Sequence, residues 1–201
     1  AAGITPAWRI TVQKRIPVAA GLGGGSSDAG AVLRLLYHRF PDRLAAEALR
    51  GIAVKLGADV PFFLSPQPAI ARGIGEELLP LQLRRRLPVV VIAPPFPIST
   101  AWASVTGNRI PPAALDPLCA ALARGELRTI AANLANDLGP AAFTKFPVLR
   151  LLRQRLLADG ALGAGLSGSG SALFAICASP AAAHRIAQRL QQQRRGLASR
   201  G

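Results

Sequence analysis

The sequence predicts a mixed α/β protein built as two successive domains, and three stretches carry that prediction. A strand-like segment, a glycine loop and a helical pattern fill 8–40. The apolar run "VVVIA" at 89–93 opens a second half behind a boundary marked by "RRR" at 84–86 and Pro88, and 148–195 reads helix, glycine loop, strand, helix. The expected domains are therefore 1–84 and 85–201. With 201 residues, half of them hydrophobic, the chain has enough apolar surface for one large core or two small ones.

Each element follows from its pattern. "WRITVQKRIPV" at 8–18 alternates Ile10 and Val12 and then, after an offset, Ile16 and Val18, which predicts a strand entering the glycine loop. Ala29, Val32, Leu33, Leu36 and Phe40 recur at helical spacing, so a helix is expected from Ser27 or Asp28 to just before Pro41. A second helix is expected from about Asp42, with Ala45, Leu49, Ile52, Ala53 and Leu56 on its apolar face and Gly57 as its C-terminal cap. "GADVPFFL" at 57–64 reads as a turn into an apolar run, and 69–79 as short strand and turn. In the second half "VVVIA" is expected to be a buried strand, with helical segments at 113–123 and 126–138 and a firmer helix from Val148 to Ala158 closed by Gly160. "ALFAIC" at 172–177 predicts a strand, and the last helix, 180–195, starts at Pro180 with Ser179 as its cap.

Bulk composition excludes several classes. Proline breaks the apolar runs well short of the roughly 18–20 residues of a membrane span, and no signal-peptide layout is present, so a soluble cytoplasmic protein is expected. Cys119 and Cys177 lie far apart without CxxC pairing, and His38 and His184 have no ligand spacing, so reduced thiols and no structural zinc are expected. The formal charge of +14 rests on 24 basic residues, nearly all arginine and spread over every expected helix without interleaved aromatics. That distribution fits solvated helix faces better than a nucleic-acid surface. The chain has no methionine and starts at Ala1, which points to a processed start or to further sequence upstream.

The stretch "GLGGGSSDAG" at 21–30 carries the chemistry. A strand, a glycine-rich loop and a helix N-terminus together form an anion site, because unpaired amides and the helix dipole point at one place. Glycine admits phosphate oxygens to the main chain, and the hydroxyls of Ser26 and Ser27 add donors or face a metal ion. The stretch is no Walker A loop, lacking Gly-Lys-Ser/Thr, and a Rossmann fingerprint would need glycine where Ser26 stands. The competing reading is a flexible turn with Ser27 or Asp28 capping a helix. Asp59, in a glycine-led turn before Val-Pro and two phenylalanines, is a candidate base for a substrate hydroxyl, or else a turn aspartate bonding its own backbone. Asp28, read as a first-turn acid, is structural or weakly associated with magnesium. "GLSGSGS" at 165–171 repeats the small-residue logic between a helix cap and a strand, where flexible linkers rarely sit.

"PVAAGLGGGSSDAG" (17–30), "GADVPFF" (57–63), "ARGIGEELLPL" (71–81), "NDL" (136–138) and "GAGLSGSGSALFA" (163–175) resemble, in order and spacing, the GHMP small-molecule kinases. The resemblance covers nearly the whole chain. It implies a two-domain α/β GHMP fold with a truncated N-terminal, ATP-binding domain, a ferredoxin-like C-terminal domain, and ATP and substrate held between them. It also implies that Pro17, Val18, Ala19, Ala20, Gly21, Leu22, Gly23, Gly24, Gly25, Ser26 and Ser27 wrap the ATP phosphates and that Asp59 is the catalytic base. Gly168, Ser169, Gly170 and Ser171 would close the phosphate end of the site. The implied reaction moves the γ-phosphoryl of ATP, with Mg²⁺, to a hydroxyl of a cytidine-diphosphate-linked sugar alcohol, in a monomer or homodimer without nucleic acid or membrane. Another GHMP acceptor, or a non-catalytic nucleotide-binding fragment, stays open. The family's opening strand and loop, of the type Lys-Ile-Asn-Leu and Asp-Gly-Tyr-His with its catalytic lysine, has no counterpart here. Little kinase activity is therefore expected of residues 1–201, and Lys14 is not that lysine. Near "IST" at 98–100 family members carry an aromatic where this chain has Ser104, with Trp102 the nearest ring.

Overall fold

The computed structural model describes residues 8–99, 101–102 and 115–198. The chain divides into two compact units, one of Ala1–Val18 with Gly23–Gln82 and one of Ala19–Leu22 with Leu83–Gly201.

In the first unit, helix α1 (Gly24–Arg39) begins three or four residues earlier than the apolar spacing predicts. Gly23, at φ 65°, turns the chain into the helix with no side-chain cap, and Ser27 N–H donates to the Gly23 carbonyl at 2.8 Å. Ser27 and Asp28 therefore lie inside the helix and cap nothing, and the first turn holds no acidic residue. Small residues carry no apolar signal, which is why periodicity placed the start too late. Helix α2 (Ala46–Leu56) likewise starts four residues after Asp42; Leu49 and Ala53 are buried while Leu56 is exposed. Gly57 N–H closes the helix on Ala53 at 3.2 Å, as expected of its cap. A 3₁₀ turn, Pro61–Leu64, follows, and then the hairpin of β1 (Ala69–Arg72) and β2 (Glu77–Pro80), paired from Ala69–Pro80 to Arg72–Glu77.

Leu33, Leu44, Leu49, Ala53 and Val60 form the core of this unit. Residues 8–18 are not the expected strand. They pair with no strand among the described residues, and Ile10, Val12 and Val18 are exposed. Alternation supplies a face, but a strand also needs a neighbour to complete its ladder.

In the second unit, β3 (Val89–Ile92) precedes helices α3 (Asp116–Arg124), α4 (Leu127–Ala132), α5 (Gly139–Lys145) and α6 (Pro147–Ala158). Strands β4 (Gly163–Leu166) and β5 (Leu173–Ile176) and helix α7 (Pro180–Ala198) complete it. The sheet is antiparallel in the order β3-β5-β4, so β5 is central. Its odd residues Leu173 and Ala175 join Cys177, Leu149, Leu156 and Ile186 in one core. Its even residues Phe174 and Ile176 meet Ile130 and Ala121 in another. Burial on both faces explains the continuous apolar run there. "VVVIA", expected to be buried, is instead an edge strand: Val90 is buried while Val89 and Val91 are exposed. The helix expected over 126–138 stops at Ala132, where the Asn133 side chain bonds back to the Thr129 carbonyl at 2.8 Å. Residues 113–114 of the preceding expected helix lie outside the described residues. Ser179 caps α7 as expected, its hydroxyl accepting from Ala182 N–H at 3.2 Å.

One contact in the first unit fixes the turn after Asp59 on α1. A Cβ at Gly30 would lie 2.5 Å from the Phe63 Cβ and 3.0 Å from its carbonyl carbon and oxygen, and Arg34 Nη1 donates to that oxygen at 2.7 Å. Alanine in place of a helical glycine ordinarily stabilises by roughly 0.5–1 kcal/mol. Gly30→Ala is expected to do the opposite, costing about 1–3 kcal/mol through overpacking against Phe63. Urea unfolding measures it, and an unchanged or raised midpoint would contradict this packing.

Candidate functional site

The glycine loop divides between the two units. Residues 19–22 pack with the second, where Ala172 N–H donates to the Ala20 carbonyl at 3.0 Å and the Ser167 hydroxyl donates to the Gly21 carbonyl at 2.8 Å. Gly21 is left-handed, at φ 73°. A Cβ there would overlap the Ser167 carbonyl oxygen and stand 2.9 Å from Gly170 N and 3.0 Å from Gly170 O. The backbone that excludes a side chain at Gly21 is thus the protein's own "GLSGSGS" loop. Ala19, at φ 53°, holds a conformation disfavoured for any residue with a Cβ.

From Gly23 the loop belongs to the first unit. Gly23 lies under the Phe63 ring, to which a Cβ would come within 3.1 Å, and a Cβ at Gly24 would meet Ile16 at 3.0 Å. Gly25 differs, since a Cβ there meets nothing within 4 Å. The α1 ladder begins with Ser27 N–H, so the amides of Gly24, Gly25 and Ser26 have no acceptor among the described residues. They converge at the positive end of a 16-residue helix dipole. Lys14 Nζ pairs with the Asp28 carboxylate, and it stands 3.6 Å from where a Gly24 Cβ would be. Asp28, at the fifth helical position, is therefore answered by an ammonium group instead of facing the amides bare. Among the described residues no three His, Cys, Asp or Glu side chains come together as a metal group.

Asp59 is exposed, in the turn where Val60 N–H bonds the Gly57 carbonyl at 3.1 Å. Its carboxylate makes no bond to its own backbone or to any other described residue, which removes the turn-capping reading. Phe63 ties this turn to α1 through Gly30 and Gly23, so "GADVPFF" and the helix N-terminus are brought together within one unit.

In the second unit Gly168 is exposed, while Ser169, Gly170 and Ser171 are buried. The Ser171 side chain is committed within the unit. It is fully buried, and its hydroxyl donates to the Phe96 carbonyl with Pro94 also in reach. Sequence reasoning assigned no role to Asn136 within "NDL". Its amide nitrogen donates to both the Leu166 and Gly168 carbonyls at 2.9 Å, and its oxygen accepts from Leu138 N–H at 2.9 Å. The last bond is a local Asx turn and was readable. The first two span 30 and 32 residues and were not. Trp102 packs edge-on against Phe146 under the Lys145 ammonium, and Ser104 lies outside the described residues.

A helix N-terminus with three unclaimed amides is the anion-receiving feature of a phosphate-handling class of α/β protein. The model of the GHMP kinases N-terminal domain matches residues 1–67, and that of the GHMP kinases C-terminal domain matches 118–195. The chain belongs to the GHMP kinase family. It is 41% identical to a 4-diphosphocytidyl-2-C-methyl-D-erythritol kinase of Citrifermentans bemidjiense, covering 92% of this chain and 65% of that one. Identity is again 41% to the enzyme of that name from Chlorobium chlorochromatii, covering 94% and 67%. The chain thus spans about two thirds of the length of these relatives. A crystal structure of 4-(cytidine 5'-diphospho)-2C-methyl-D-erythritol kinase superposes with a TM-score of 0.75 at 40% identity, covering 90% of this chain and 65% of that one. A homoserine kinase from Cytophaga hutchinsonii, at TM-score 0.76 and 21% identity over 92% and 64%, shares the fold.

At Gly25 the fold itself needs no glycine. Gly25→Ala is expected to leave stability unchanged or raised by up to about 1 kcal/mol, since a Cβ there meets no atom within 4 Å. Thermal unfolding checks this, and a clearly lowered midpoint would contradict it.

Proposed function

We propose that this protein is a soluble, cytoplasmic kinase that transfers the γ-phosphoryl group of ATP to the 2-hydroxyl of 4-diphosphocytidyl-2-C-methyl-D-erythritol, an isoprenoid-precursor step. The observation that carries the proposal is the 41% identity to relatives of that name along 92% of the chain. The residues fit the chemistry. The amides of Gly24, Gly25 and Ser26 supply positive potential for the phosphates, with Lys14 cancelling the Asp28 charge beside them, and the loop at 168–170 supplies a second small-residue surface. Residues 1–84 are read as the ATP-binding domain and 85–201 as the C-terminal domain.

Magnesium would be held mainly by the phosphates, with the Ser26 or Ser27 hydroxyl as a protein ligand, because Mg²⁺ keeps several waters and takes few side chains. When bound it neutralises charge on the phosphoryl group. Asp59 accepts the proton of the attacking hydroxyl, and its uncommitted carboxylate suits that role.

General-base help is typically worth about 10²–10⁴ in rate. In the protein expressed from its complete coding sequence, Asp59→Asn is expected to lower turnover by at least about 10²-fold with ATP affinity retained. Phosphorus NMR of the product and calorimetry with ATP measure the two. Near-normal turnover would overturn Asp59 as the base, and no transfer to this acceptor by the unaltered protein would overturn the substrate.

A further inference from the structure

We infer that Asn136 is a positioning residue for the phosphate end of the nucleotide site, an inference that rests on the proposed kinase reading. A loop that receives an anion must keep its carbonyl oxygens away from it, because each carries partial negative charge. In "GLSGSGS" two of those oxygens, on Leu166 and Gly168, flank Ser167, and both accept from the single amide nitrogen of Asn136 at 2.9 Å. Both N–H bonds of that nitrogen are thereby used. The amide cannot be reversed without setting its oxygen against two acceptors and its nitrogen against the Leu138 N–H, so its orientation is fixed by three partners.

The peptide unit is planar and its carbonyl and N–H point opposite ways. Holding the Leu166 carbonyl therefore sets the direction of the Ser167 N–H, which donates to the Ala172 carbonyl at 2.9 Å. Holding the Gly168 carbonyl sets the plane of the next peptide, at Ser169. Gly168 is exposed and left-handed at φ 53°, a conformation a glycine can leave easily, so an outside tie is needed to hold it. Asn136 reaches it from the segment between α4 and α5. The side chain acts through the loop and touches no reacting atom.

Phosphate-dependent affinity distinguishes this role from a merely structural one. Asn136→Asp keeps the size of the side chain and the acceptor for Leu138 but replaces two donors with a carboxylate oxygen facing two carbonyls. ATP and AMP affinities are measured by calorimetry on the full chain, with circular dichroism to establish that each variant is folded. The expected result is an ATP affinity about tenfold lower with AMP affinity changed less than twofold. Asn136→Ser, which retains one donor, is expected to lose less and in the same direction; it serves as the test if the aspartate variant does not fold. Equal losses for ATP and AMP, or no loss in a folded variant, would overturn the inference. Failure of the unaltered chain to prefer ATP over AMP would instead overturn the nucleotide reading on which it rests.

Discussion

The Gly21 main chain lies against the Ser167–Gly170 main chain with no space for a Cβ, and the glycine loop takes its course from that contact. The Ser167 hydroxyl and the Ala172 amide hold the Gly21 and Ala20 carbonyls, so the chain at 19–22 is anchored on the second unit before it turns at Gly23 into α1. Only glycine satisfies both requirements at Gly21, a left-handed backbone and the absence of a side chain. Gly21 and Ser167, 146 residues apart in sequence, are thus in direct contact.

Within the first unit a second close approach, that of Phe63 to α1, fixes the turn that carries Asp59. Gly30 and Gly23 leave room for it, and Arg34 holds its carbonyl. The ring links the turn carrying Asp59 to the end of the helix where three amides are unclaimed. Lys14 completes the electrostatics by pairing with Asp28, the one carboxylate on the helix near those amides. An acid so placed would otherwise lower the positive potential that an anion needs.

Much of the fold was legible because burial leaves periodic marks. The central strand β5, covered on both faces, reads as a continuous apolar run, and the ends of α1, α2 and α7 carry Pro41, Gly57 and Ser179 where caps and breakers belong. What failed was whatever depends on a distant neighbour. Residues 8–18 alternate like a strand, yet alternation does not supply a ladder partner. The sequence does not tell apart the reasons for its glycines either: at Gly21, Gly23, Gly24 and Gly30 a Cβ would meet protein atoms, whereas at Gly25 it would meet nothing within 4 Å. Ser171 resembles its serine neighbours in sequence and is distinguished only by the carbonyls of Pro94 and Phe96, far along the chain. Asn136 was quoted within a motif without a role because its two principal bonds reach a loop 30 residues away.

We propose that the first turn of α1 receives phosphate through its main-chain amides. The most direct measurement is a nuclear magnetic resonance titration of the nitrogen-15-labelled chain with ATP and, separately, with adenosine. Saturable shifts of the Gly24, Gly25 and Ser26 amide resonances are expected with ATP and not with adenosine. Amide resonances there that stay in place at saturating ATP, or that move equally with adenosine, would contradict it.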